Sequence, residues 1–286
     1  MFKMLVLQHL FNLSGDQTKF HIRYPYSFCR FLGLSQEGKV PDAKTVWVYR
    51  ERLKERGLVD KLFSALLIQI DAAGFSARKG QIVDAAIVPV PRQRNTREEN
   101  RQIKAGDSPE AWGDNKRRQK DVEAHWTKKH GKTHYGYKSH ISVDRKHKVI
   151  RKYVITSAEA HDSPVFEELL DENNSNGSIW AGSAYRSHIH RKSTHKRLLN
   201  KREQEASRKR SRVRARVEYV LAQQANRLVR SIGQVRAGVK MGMMNLVYNI
   251  WCCWPDEATY GYCQKNERED TGLSRFARNY WPLSVF

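Results

Sequence analysis

The stretch GQIVDAAIVPV, residues 80–90, carries apolar side chains on both alternating faces. Ile82, Ala86 and Val88 fall on one face, and Val83, Ala85 and Ile87 on the other. A strand that is apolar on both faces is covered on both, so this one belongs in the middle of a sheet flanked by helices and predicts an α/β fold. Only Asp84 breaks the pattern. An ionised carboxylate left unpaired in such surroundings costs several kcal/mol, so Asp84 demands a cation, a cluster of donors or a raised pKa. A nearby Arg or Lys is one ordinary answer, and the chain has 52 of them.

Upstream of this strand the period is helical. The apolar MFKMLVLQHLFNL at the start is shorter than the ~20 residues of a membrane span and reads as a buried helix. Asp42 caps a helix carrying Val46, Tyr49 and Leu53, which Gly57 stops. Asp60 caps a second, with Leu62, Phe63, Leu66, Leu67 and Ile70 on one face, which Gly74 stops. Residues 1–76 are therefore expected to form a helical module.

Downstream, residues 91 to about 133 turn charged and lose apolar periodicity, as a surface insertion does. HYGYKSHISVD (134–144) and KVIRKYVITSA (148–158) then alternate as two strands of a hairpin. Ser163-Pro164 opens a predicted helix with Val165, Phe166, Leu169 and Leu170 buried, and GSIWAGSAYRSHIHRK (177–192) supplies further strand. In SRVRARVEYVLAQQANRLV (211–229), Val213, Val217, Val220, Leu221 and Leu228 line one side of a late, arginine-rich helix. Residues 251–286 show no clear period.

Composition narrows the class of partner. With 52 Lys+Arg against 30 Asp+Glu the net charge is +22 and the pI about 10, a field that attracts polyanions. Nucleic acid is the expected ligand, and no stretch is apolar enough to cross a bilayer. Cys29, Cys252, Cys253 and Cys263 have neither disulfide-framework density nor metal-ligand spacing, which fits a reducing cytoplasm. The histidines around 125–140 and 188–195 lack zinc-site offsets.

Glu218 lies about 140° around the late helix from Val213, at the border of the apolar stripe, where a carboxylate can point toward a sheet edge. An i,i+4 ion pair with Arg214 is its ordinary alternative. The order strand with Asp, hairpin, helix, strand, basic helix with Glu is what a ribonuclease H-like nuclease core needs. In such a core, carboxylates hold two divalent ions about 4 Å apart. Hard oxygen ligands select Mg²⁺ or Mn²⁺.

Over roughly residues 1–250 the chain resembles the insertion-sequence DDE transposases of the group called family five. The matching stretches are PDAKTVWVYRERL, GQIVDAAIVPVPRQRN, HWTKKHGKTHYGYKSHISVD, AHDSP, WAGSAYRS, SHIHRK, RKRSRVRARVEYV and GMMNLVYN. The resemblance implies a ribonuclease H-like mixed sheet flanked by helices over residues 77–250, with the insertion at about 91–133. It also implies an N-terminal module at 1–76 that is a shortened DNA-binding region, and a divergent tail at 251–286.

The family's first aspartate falls on Asp84 and its glutamate on Glu218, both as metal ligands. Its second aspartate belongs to an Asp-x-x-Tyr at a strand end, which here reads GSAY, so Gly182 stands in the aspartate's place before Tyr185. The short helix that members carry after that Tyr is missing too, since Tyr185-Arg186-Ser187 runs straight into His188. Asp162 in AHDSP is the nearest other carboxylate, and its position suits a helix cap.

The implied partner is double-stranded DNA, as terminal inverted repeats and target, in the bacterial cytoplasm. The chain would act as a homo-oligomer or in mixed oligomers with an intact enzyme. Arg212, Arg214 and Lys138 are candidates for phosphate contact, and Tyr185 and Arg186 for clamping a displaced nucleotide. With one ligand lost, cleavage and strand transfer are expected to be weak or absent while DNA binding survives. The alternatives are a non-catalytic DNA-binding relative that inhibits an intact transposase and a basic RNA-binding protein.

Overall fold

A computed structural model describes residues 1–23, 26–35, 38–129, 131–174, 178–181, 200–224 and 228–253. The chain divides into two units, residues 1–76 with the chain from Gly242 onward, and residues 77–241.

In the first unit the apolar run at the start forms α1 (Phe2–Leu10), in which Met4, Leu5, Val6 and Leu7 are all buried. Ser14 and Gln17 open α2 (Gly15–Arg23) by exchanging backbone-to-side-chain hydrogen bonds of 2.9 and 3.2 Å, and α3 (Tyr26–Leu32) follows. Asp42 caps α4 (Ala43–Glu55) as the sequence predicts, its carboxylate accepting from the Thr45 amide at 2.8 Å. In α5 (Leu58–Ala72), Phe63 and Ile70 are buried on the expected face. Asp60 is not its cap. Gly57, at φ +56°, both stops α4 and starts α5, which leaves Asp60 inside the first turn where a carboxylate favours the helix dipole.

The second unit runs β1 (Gln81–Pro89), α6 (Arg97–Lys104), α7 (Asp114–Gln119), β2 (His125–Lys129), β3 (Lys132–Asp144), β4 (Ile150–Ser157), β5 (Ile179–Ala181), α8 (Lys201–Gln224) and the beginning of α9 (Gln234–Cys252). β1 is bonded on both edges, antiparallel to β3 from Gln81↔Asp144 to Pro89↔Gly136 and parallel to β5 from Gln81↔Ile179 to Val83↔Ala181. β4 pairs with β3 in the expected hairpin, and β2 pairs with the first residues of β3.

Both faces of this mixed sheet are covered. Val83 packs with Leu169 and Ala181, and with the partly buried Val154, Val165 and Phe166. Val88 packs on the other face with Tyr135, Tyr137, Val229, Ala237 and Met241.

Three expectations need correction. Residues 163–169 form successive turns, with bonds such as Phe166 N to Ser163 O at 3.2 Å, and no α-helix. Leu169 is still fully buried, because i→i+3 turns can present an apolar side chain without propagating a helix. The charged insertion is less peripheral than expected. It buries Ile103, Trp112 and Ala124, and its end adds β2 to the sheet. The late helix begins earlier, at Lys201, and Leu228 lies beyond its end.

Gly136 sits where β1, β3 and β2 meet, at φ +152°, and a Cβ there would run into the carbonyl oxygen of Val88. Gly136→Ala is expected to lower stability by about 2–3 kcal/mol, the range for overpacking against unyielding backbone. Urea unfolding checks this: the midpoint should fall with the slope unchanged, and an unmoved midpoint would mean that the strands can shift apart.

Candidate active site

Asp84 stands in the middle of β1, opposite Ile141 of β3. On the other edge the last described residue of β5, Ala181, is opposite Val83, one residue before Asp84. The next residue in the sequence is Gly182. It lies outside the described residues, as do Tyr185 and Arg186.

Helix α8 lies against β1 and β5, anchored by the fully buried Val217 and Val220. That anchoring brings Arg214 onto Asp84, with Nε donating to Oδ2 at 3.2 Å. The other carboxylate oxygen accepts from the Ala85 amide at 2.9 Å. The Asp84 side chain is 15% exposed and that of Arg214 35%, so the pair is partly screened and contributes on the order of 1 kcal/mol or less. Of the answers open to a carboxylate in this strand, an arginine is the one found.

Glu218 follows Arg214 by four residues, about 40° further round the helix and about 6 Å along it. Its side chain is exposed, as is that of Arg212. Spacing alone offered Arg214 to Glu218 as an ion-pair partner, but its Nε is directed to Asp84. Among the described residues, no three His, Cys, Asp or Glu side chains gather closely enough to hold a metal ion. No chemical step through divalent cations follows from the described residues alone.

Lys138 and His140 alternate with Ile141 and so point to the opposite face of the sheet from Asp84. The Lys138 ammonium donates to Ala160 O at 2.6 Å and to Asp162 Oδ1 at 3.0 Å, with both side chains less than one-fifth exposed. Lys138 is thus held internally and is not turned to solvent. Asp162 is its partner and not a helix cap, since no helix follows it. His140 is fully buried, with Nε2 2.9 Å from Thr156 Oγ1. Burial pushes its pKa from 6.5 down to about 4, outweighing the upward pull of Asp162 and Asp84.

Asp121, which the sequence hid in a charged run, organises the neighbouring part of the sheet. It is almost fully buried, and it accepts from Tyr137 Oη at 2.8 Å on both carboxylate oxygens. It also accepts from the amides of Glu123, Ala124 and Gly233. Burial and this carboxylate together raise the Tyr137 pKa.

A central strand with a carboxylate, a parallel neighbour described up to the level of Val83 and a basic helix across them make this a mixed α/β domain of sheet flanked by helices. The chain matches the family model for the transposase DDE domain over residues 76–250 and that for a transposase domain (DUF772) over residues 1–52. The first match spans more than half of the chain, which belongs to the DDE transposases. Its function is accordingly of transposase type and its partner is DNA, and domains of this family typically use divalent metal ions. No solved structure matches the chain. No helix among the described residues is long and apolar enough to cross a membrane.

The depressed pKa of His140 has a sign that can be tested. Above about pH 6.5 the residue is neutral both folded and unfolded. Between about 6.5 and about 4 the unfolded chain takes up a proton that the folded chain refuses, so stability is lost as pH falls through that window. Denaturation midpoints measured across this window should decline less steeply for His140→Asn than for the unchanged chain. Equal slopes would show that His140 is accessible to protons in the folded state.

Proposed function

We propose that this protein is a transposase of the insertion-sequence family-five group. In this reading its ribonuclease H-like domain has lost one of three catalytic acids at Gly182, so that it binds duplex DNA while cutting and joining it weakly or not at all. The arrangement around Asp84 carries the reading. The carboxylate lies on a central strand, the parallel neighbour is described up to the level of Val83, and α8 crosses with Arg214 on the carboxylate and Glu218 one turn on. The strand order supports it as well. Three antiparallel strands, β4, β3 and β1, are followed on the far edge by β5, parallel to β1.

Asp84 and Glu218 are the residues assigned to Mg²⁺ or Mn²⁺, hard cations that select carboxylate oxygen. Position 182 is where the absent ligand belongs. A two-ion centre needs enough carboxylate oxygens to hold both ions, and this chain is one side chain short. Arg212 and Arg214 are assigned to DNA phosphates, and Tyr185 and Arg186 to a displaced nucleotide.

A second reading is favoured by the Arg214–Asp84 pair, which already neutralises the acid in the middle of β1. The chain would then be a non-catalytic relative that occupies element ends or forms mixed oligomers with an intact enzyme and so inhibits it.

A cleavage and strand-transfer assay with Mn²⁺ on candidate terminal repeats, comparing the chain with Gly182→Asp, tests both readings. Activity is expected only in the variant, and adding Asp84→Asn should remove it by about 10³-fold or more, as loss of one member of a catalytic constellation does. Robust activity without the substitution would overturn the role given to position 182. Inactivity of both forms, with DNA binding retained, would favour the inhibitor reading.

A further inference from the structure

The hairpin formed by β2 and the beginning of β3 joins the core at Tyr135, but beyond that residue it serves neither the core nor the site around Asp84. Its register is His125↔Gly136, Trp126↔Tyr135, Thr127↔His134, Lys128↔Thr133 and Lys129↔Lys132. β1 pairs with β3 only from Gly136, and β4 only from Tyr137, so the part beyond Tyr135 is a two-stranded ribbon running past the end of the sheet. Its tip is exposed at Lys128, Lys129, Gly131, Lys132 and Thr133. The sequence from Ala124 to His134 contains no acidic residue.

Two features of this ribbon work against the fold. Lys129 and Lys132 lie directly opposite each other, a cross-strand placement that is destabilising for like charges. Trp126 is 43% exposed although it sits on a sheet whose core lies one residue pair away. The indole is nonetheless held in place, against Tyr135 with ring centroids 5.0 Å apart and with the Arg92 guanidinium 5.8 Å from its own centroid. A large aromatic side chain held in an exposed position beside an arginine, on a ribbon that carries lysines, matches the chemistry of nucleic acid, in which phosphates alternate with flat apolar surfaces.

Alternation along the strands distributes these groups. Trp126 and Lys128 share one face of the ribbon, and Lys129, Lys132 and His134 the other. A ribbon that is basic on both faces fits between two phosphate walls. The major groove of duplex DNA, about 12 Å wide, admits a two-stranded ribbon.

We propose that the β2–β3 ribbon is a DNA-binding arm that enters the major groove of duplex DNA. Lys128, Lys129 and Lys132 meet phosphates on its two sides, and the Trp126–Arg92 pair rests against the sugar and base edge at its root. The proposal rests on DNA being the partner and is independent of whether the acid site can cut.

The test is titration of the full chain with a labelled mixed-sequence duplex over a range of salt concentrations, without divalent metal so that catalysis does not enter. The triple variant Lys128→Ala, Lys129→Ala, Lys132→Ala is expected to bind at least tenfold more weakly near physiological salt. Its log–log salt slope should be shallower by about 2 to 3, close to one released counterion for each lost phosphate contact. Trp126→Ala should weaken binding with the slope unchanged, and Trp126→Phe should restore most of it. Lys129→Thr, which removes the opposed charges, should leave the thermal midpoint unchanged or higher while weakening binding, an outcome that damage to the fold does not produce. An unaltered slope in the triple variant overturns the proposal, as does tighter binding of a single-stranded RNA than of the duplex. Failure of Gly182→Asp to restore cleavage bears only on the catalytic reading.

Discussion

A carboxylate in a strand bonded on both edges has no escape to water along the plane of the sheet, so its charge must be met from above. Asp84 imposes this condition on the second unit, and α8 meets it. The buried Val217 and Val220 set the rotation of the helix, and that rotation turns Arg214, three residues before Val217, onto the acid. Hydrophobic anchoring and ion pairing thus specify one register of the helix on the sheet. The pair itself contributes little stability, being partly open to solvent, but breaking it from one side would leave a half-buried charge unmet. Its main effect is on specificity of packing.

The parts of the fold that the sequence made legible are those in which one local rule is obeyed without competition. β1 could be read because it is apolar on both faces, the β3–β4 hairpin because it alternates, and the start of α4 because Asp42 is followed by the Thr45 amide it caps. Legibility failed where tertiary context overruled the local signal. The 163–169 segment has a helical apolar spacing, yet it is too short to propagate and closes with i→i+3 turns around Leu169. β2 is an edge strand with mostly polar, exposed side chains, so it shows almost no alternation in hydrophobicity. In α9 every residue from Met241 to Asn249 is buried, which erases the amphipathic period that would reveal a helix. At the site, Asp84 was visible as an anomaly in its strand, whereas its choice of Arg214 among many cations depended on a helix register that only packing fixes.

The net charge of +22 is likewise a poor guide until the cations are sorted by what holds them. Lys138 is bound to Asp162 and the Ala160 carbonyl, Lys116 to Glu99 at 2.6 Å, and Lys120 to Arg94 O and Asn95 Oδ1. These charges stitch the hairpin and the insertion together and have little left for a polyanion. The lysines of the β2–β3 ribbon are exposed on a segment with no acid of its own, and two of them face each other across the strands. Charge that the fold does not use, placed where it costs stability, is more informative than charge in total.

The same sorting bears on the acid site. Asp84, Glu218 and Arg214 together carry a net charge of −1, which a guanidinium already lying on Asp84 leaves weakly attractive to a second cation. A divalent ion must shed tightly held water to bind, and only converging carboxylates supply the field that compensates this loss. On the proposed reading an aspartate at position 182 would bring the local charge to −2, which favours a doubly charged ion over the single, delocalised charge of an arginine. With glycine there, Arg214 offsets one of the two carboxylates that remain, the one on which it lies. On the proposed reading, the loss of one acid therefore does more than remove a ligand. It shifts the balance at Asp84 from a metal ion toward the arginine of the facing helix, so that the change at Gly182 and the pairing of Arg214 disfavour cation binding in the same direction.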